Sequence, residues 1–216
     1  SGSNSLQQLL YYRNEKFLLE SSEILLTPLR DINKYVLKLN TLDQASDPVL
    51  IYIYVAHLKS SQGSSNEDLR LEMVNEFTDD LENLDSNSFV LFAGDFNLYS
   101  SEEPAYQEIL DASNAIVMVD PINTPGTWHN NENFQDIHTQ STRLGSGPNG
   151  GASGGLDDRF DFITISENII TNENIKYVPE SYKALGNNAN CFNLNISDET
   201  CTGEYSQTLR NQLYSI

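Results

Sequence analysis

Cysteine and positive charge are the two things this 216-residue chain has least of. It holds two cysteines, and 12 Lys and Arg stand against 31 Asp and Glu, for a formal net charge of -19. So few cations exclude a surface that gathers phosphate backbones by charge alone. If a phosphate ester is bound, positive charge must come from a few placed side chains or from divalent cations. No stretch approaches the ~18 consecutive apolar residues of a membrane span. No basic, apolar, then small-residue leader opens the chain either, which begins with the small polar run Ser1 to Ser5. Cys191 and Cys201 sit close together in a polar stretch. They read as a small disulfide loop, which implies an oxidising compartment, or as two free thiols.

Apolar material is sufficient for a core: hydrophobic residues make up 38% of the chain, with 9 Phe and 11 Tyr. Strand-like and helix-like segments alternate. Val36 to Leu39 and Val49 to Val55 read as strands, the second ("VLIYIYV") apolar on both faces and hence central. After the polar "KSSQGSSN", Asn66 with Glu67 and Asp68 marks a helix start. Leu69, Met73, Val74, Phe77, Leu81 and Leu84 give that helix one apolar stripe, and Asp79, Asp80, Glu82 and Asp85 read as its solvated outer face. "FVLFA" (Phe89 to Ala93) is a further buried strand. A second helix is expected in "SSEEPAYQEILDA", and short strands in "NAIVMVD" and in Asp161 to Ser166. Pro121 to Leu156 reads mostly as loop, with a flexible glycine-rich centre at Gly145 to Gly155. Tyr182 to Gln207 is polar and irregular. No repeat and no linker between two cores is visible, so residues 1–216 read as a single α/β domain.

Polar groups able to do chemistry stand where the buried strands end. His57 follows the second strand in "YVAHLKS"; Asp95 and Asn97 follow the third in "AGDFN"; Asp161 opens the last in "DDRFDFI". Ligand sites in sheet proteins form where strand ends meet loops. Each residue also has a local reading: His57 as a hydrogen-bonded structural imidazole, Asp95 as a turn former, Asp161 as a surface partner of Arg159 or Arg143.

"HLKSSQG", "GDFN" and "RFDFI", in that order and at these separations, resemble the endonuclease/exonuclease/phosphatase family, the DNase I-like proteins. The resemblance covers roughly Leu9 to Ile165; "LLYYRNEKF" and "LRDINKYVLKL" look like its paired strands, and "GTWHN", "IHTQSTR" and "YKALGNNANCFN" resemble a secreted bacterial subgroup. It implies a four-layer α/β/β/α sandwich of two packed mixed β-sheets, here lacking the first strand and helix and the last strand, hence a domain partial at both ends. It implies hydrolysis of phosphate esters by metal-activated water, with Mg²⁺, Mn²⁺ or Ca²⁺ and a nuclease or phosphodiesterase as the first assignment. His57 would bond the scissile phosphate, Asp161 would orient His57, Asp95 would contact the attacking water or leaving oxygen or hold the metal, and Asn97 would donate to a phosphate oxygen. Arg30, Trp128, His129, His138 and Arg143 are candidate substrate contacts, with Arg30–Asp31 pairing and a loop-anchoring Trp128 as the structural readings. The family's metal-binding Glu and its closing Asp-His motif are not found here. The expectation is weak or absent activity from these 216 residues alone, with a non-catalytic extracellular binding or adhesion module as the alternative. Nucleic acid or a small phosphodiester is the expected partner, monomer the expected state, and secretion the expected destination.

Overall fold

The computed structural model describes residues 8–147 and 152–215. The chain divides into two compact units: Ser1–Asn97, Glu103–Thr124 and Phe162–Pro179 in the first, and Leu98–Glu102, Pro125–Asp161 and Glu180–Ile216 in the second.

The first unit is built on a mixed six-stranded sheet in the order β1-β2-β3-β4-β6-β5. Its strands are β1 (Phe17–Leu25), β2 (Ile32–Leu39), β3 (Leu50–His57), β4 (Phe89–Asp95), β5 (Met118–Val119) and β6 (Asp161–Ser166). β1, β2 and β3 run antiparallel in sequence, while β3 and β4 are parallel. Parallel neighbours need a crossover, and helix α1 (Ser64–Leu81) supplies it. Met73, Val74, Phe77 and Leu81 are its apolar stripe, and all four are fully buried, worth about 1.5–3 kcal/mol each in transfer free energy. Phe77 stacks on Phe92 of β4 at 4.0 Å and meets Tyr54 of β3 edge-on at 4.9 Å. Phe92 continues to Phe96 and Phe96 to Phe162, so one aromatic row ties α1 to three strands.

The sequence reading places these elements correctly and misses some ends. β2 begins at Ile32 rather than Val36, and most of "LLYYRNEKF" precedes β1. α1 starts at Ser64, behind Gly63 and with no side-chain cap, and Leu84 lies past its end. Asp80 is not part of a solvated face. It turns inward to Lys34 at 2.8 Å and accepts from the Tyr54 hydroxyl at 2.6 Å, because Lys34, itself buried, needs a counter-charge. Burial, then Asp80, pushes the Tyr54 hydroxyl pKa far up, so Tyr54 remains a donor. Helix α2 (Pro104–Ile109) opens with its proline in the first turn, as the sequence suggests.

Strand alternation puts Tyr54 and Phe92 on the helix side, and Tyr35, Ile53, Val55, Leu91 and the ends His57 and Asp95 on the other. Part of that second side holds an apolar cavity of about 480 Å³ between Leu10, Tyr12, Phe17, Leu37, Ile53 and Leu91. All six strands belong to one sheet; a second sheet is not among the described residues.

The second unit is mostly loop, and its polar side chains do what ladders do elsewhere. Asn187 donates to the carbonyls of Gln135 and His138, and Asn188 to those of Cys201 and Tyr205. Cys191 and Cys201 are joined in a disulfide and lie buried with Leu156 and Ile196. Closing this ten-residue separation removes unfolded-chain entropy worth about 3 kcal/mol. The polar stretch 182–207 is therefore ordered by amide side chains and a crosslink, not by apolar periodicity. Helix α3 (Gln207–Ser215) follows, anchored by buried Arg210 on the carbonyls of Ile196 and Asp198. The glycine-rich stretch expected at 145–155 falls partly outside the described residues.

Candidate functional site

The parallel register pairs Ala56 with Gly94 and His57 with Asp95, so β3 and β4 end side by side. His57 Nε2 lies 3.5 Å from Asp95 Oδ2, with side chains 24% and 36% exposed, so solvent reaches both. Gly94 makes the approach possible. Its φ is +140°, and a Cβ there would fall on the carbonyl oxygen of Ala56.

The chain then folds back over Asp95. Its Oδ1 accepts the Asn97 backbone N–H at 3.1 Å and the Asn97 side-chain amide at 2.7 Å. This closes an Asx turn with Asn97 at φ +50°, a conformation asparagine tolerates. The same amide reaches the Leu58 carbonyl at 3.4 Å, and Asn97 is 5% exposed. Both amide hydrogens thus point inward. In this structure the Asn97 amide is bonded to Asp95 and Leu58, so it fixes the Asp95 carboxylate.

Arg30 closes the other side. Its Nη1 donates to the Leu58 carbonyl at 2.7 Å and more loosely to that of His57 at 3.4 Å. Leu58 returns an N–H to the Asp95 carbonyl at 2.8 Å. Burial, then the Arg30 cation, lowers the His57 pKa below the usual imidazole value, so the ring is neutral at pH 7. Burial raises the Asp95 pKa above the ordinary carboxylate value, while the Asn97 bonds and Arg30 pull it back. The strand ends therefore bring together a neutral imidazole, a held carboxylate and a cation from three separate segments of the chain.

The remaining candidates lie in the second unit. Trp128 is fully buried, with the Arg159 guanidinium 5.4 Å over its ring, so it anchors its loop and has no face free for a base. His138 is also fully buried, its two ring nitrogens beside the carbonyls of Leu156 and Trp128, and burial lowers its pKa. Arg143 is 5% exposed and donates to the Tyr214 carbonyl. His138 and Arg143 thus lend polar atoms to backbone that no strand or helix satisfies, while Trp128 is packed against Arg159. His129 stays half-exposed, and its Nδ1 is 2.9 Å from Asp158 Oδ1. Asp158 is 2% exposed, and burial raises its pKa to about 6 against the pull of His129. Asp161 opens β6, where its N–H donates to Thr139 Oγ1 and its carbonyl accepts from Tyr182; its proposed role remains the one the resemblance implies.

Among the described residues no three His, Cys, Asp or Glu side chains group closely enough to cage a cation. Asp95 offers one carboxylate oxygen, Oδ2, not taken up by Asn97. That fits a Mg²⁺-like ion, which binds through one or two carboxylates and completes its shell with water and phosphate oxygens. A separate cleft of about 1000 Å³ at the β5 edge, lined by residues such as Met118, Asp120, Ser166 and Glu167, has no imidazole or guanidinium in its wall.

No protein-family model and no curated protein matches the chain. Solved structures do. The human Nocturnin catalytic domain with bound sulfate is 16% identical at a TM-score of 0.47, over 72% of this chain and 50% of that one. TDP2 from D. rerio complexed with single-strand DNA product is 15% identical at 0.45, over 71% and 55%. An endonuclease/exonuclease/phosphatase from Bacteroides vulgatus is 15% identical at 0.44, over 73% and 57%. The structural neighbours are endonuclease/exonuclease/phosphatase proteins. The chain spans about half the length of the structures it matches.

Proposed function

We propose that the joined ends of β3 and β4 bind a phosphate ester and that the protein is a metal-dependent phosphoesterase. The observation that carries this reading is the His57–Asp95 pair, locked by Asn97 and flanked by Arg30. A phosphoryl group needs positioned donors and charge neutralisation more than covalent chemistry. Here His57 donates its ring N–H to a phosphate oxygen, and Arg30 supplies the nearby positive charge in a molecule of net charge -19. Asp95 accepts the proton of the attacking water, or holds a divalent ion through Oδ2. Such an ion, when bound, polarises water and offsets phosphate charge. Asn97 keeps Asp95 in place.

The overall acidity favours a short substrate, a small phosphodiester or a nuclease cleaving few contacted nucleotides, over long-tract nucleic-acid binding. The buried disulfide supports a secreted protein. No helix among the described residues is long and apolar enough to cross a membrane.

Hydrolysis of bis-nitrophenyl phosphate and of plasmid DNA, with Mg²⁺, Mn²⁺ or Ca²⁺ and again after chelation, tests the reading. Turnover that requires added metal and disappears with chelator is expected. No turnover under any of these conditions, in this chain or in any longer protein containing it, favours the non-catalytic binding module.

A further inference from the structure

The loop after His57 has no ladder to hold it, yet its carbonyls are all claimed from within the first unit. Arg30 and Asn97 take that of Leu58. The next ones are taken from α1. Arg70, fully buried, donates from Nη1 to the carbonyls of Lys59 at 2.8 Å and Ser61 at 3.0 Å. Its fork is set by Glu103, 5% exposed and the residue before α2: Nε donates to Glu103 Oε2 at 2.7 Å, and Nη2 lies 2.6 Å from the same oxygen. A buried guanidinium without a carboxylate is costly, and a planar fork directs its bonds where an ammonium does not. This is an expensive arrangement for closing one loop turn. The turn itself is constrained, with Ser61 at φ +80°.

We infer that Arg70 and Glu103 are positioning residues for His57: the buried pair clamps residues 59–61 so that the imidazole stays beside Asp95, partly desolvated. The inference takes from the phosphoesterase reading only the identity of His57 as the group that matters. It follows that loosening the clamp lets solvent in and changes the surroundings of the His57 ring, 24% exposed where the clamp holds the loop.

The test is the NMR spectrum of the His57 ring without substrate, in the whole chain at one mildly alkaline pH, for Arg70→Lys, Glu103→Gln and Lys34→Met. Arg70→Lys keeps the positive charge, so a shift reports lost geometry and not a lost Coulomb interaction. Lys34→Met breaks the other buried pair on α1, which touches no part of the loop. Thermal unfolding is recorded for each. The expected result is a displaced His57 ring resonance in Arg70→Lys, a displacement in the same direction in Glu103→Gln, and none in Lys34→Met even where its loss of thermal stability is equal. An unmoved His57 ring resonance in Arg70→Lys, or an equal displacement in Lys34→Met, overturns the inference. Should Arg70→Lys fail to fold, Glu103→Gln decides alone. Because no substrate enters, failure of the phosphoesterase reading shows up in the hydrolysis assay and leaves this result standing.

Discussion

His57→Ala lowers metal-dependent turnover by about 10²- to 10⁴-fold, the range lost when a positioned proton-transfer or phosphate-bonding group is removed. The side chain is a quarter exposed and the backbone bonds around it belong to Leu58, so the unfolding temperature stays close to that of the unsubstituted protein. Loss of rate without loss of fold is the signature. The pH profile carries the sign of the two shifted groups. Burial and Arg30 lower the His57 pKa, so the ring is neutral from below the ordinary imidazole value upward. Burial raises the Asp95 pKa, so this carboxylate gains its proton earlier than an exposed one as pH falls. The two shifts bring the protonations toward each other, that of His57 falling from the ordinary imidazole value and that of Asp95 rising from the carboxylate range. The rate should be level at pH 7 and fall as the pH is lowered through them. A His57→Ala protein with undiminished turnover removes His57 from the chemistry.

Gly94→Ala is expected to have the largest effect on stability. A left-handed φ costs an alanine about 1–3 kcal/mol, and its methyl group would land on the Ala56 carbonyl one pair before the end of the β3–β4 ladder. Forcing an atom into packed backbone adds about 1–3 kcal/mol more. Together these take a large share of the ~5–15 kcal/mol that holds an ordinary domain. Urea unfolding followed by circular dichroism should show a midpoint far below that of Gly63→Ala. Gly63 also has a positive φ, +106°, but nothing lies within 4 Å of its absent Cβ. Equal midpoints for the two variants would mean that the close approach of β3 to β4 is not what Gly94 provides.

Much of the first unit could be read from its residues. The run "VLIYIYV", the stripe from Met73 to Leu81 and the glycine in "AGDFN" are local signals, and local geometry sets them. The pairing of His57 with Asp95 is a consequence of two strands of similar length ending together. What stayed hidden depends on distance along the chain. Nothing near Asp80 announces Lys34, and nothing near Arg70 announces Glu103, 33 positions on. Trp128 and His138 sit among polar neighbours and look exposed. They are buried because a loop-rich unit must satisfy its backbone with whatever side chains it has. The disulfide was visible as one of two alternatives, since sequence closeness permits a crosslink but does not require it. Helix α3 carries only Leu209, Leu213 and Tyr214 as apolar residues across its nine positions, too few for periodicity to mark it.

A phosphate titration followed at the three histidine rings tests the central claim most directly. Inorganic phosphate or phenyl phosphate is added with Mg²⁺ at pH 7, and the ring resonances of His57, His129 and His138 are recorded. Saturable movement of His57, with buried His138 unmoved and the same response absent when chloride replaces phosphate, is what the strand-end site predicts. A His57 ring that stays still while phosphate is raised to saturating concentration would contradict it.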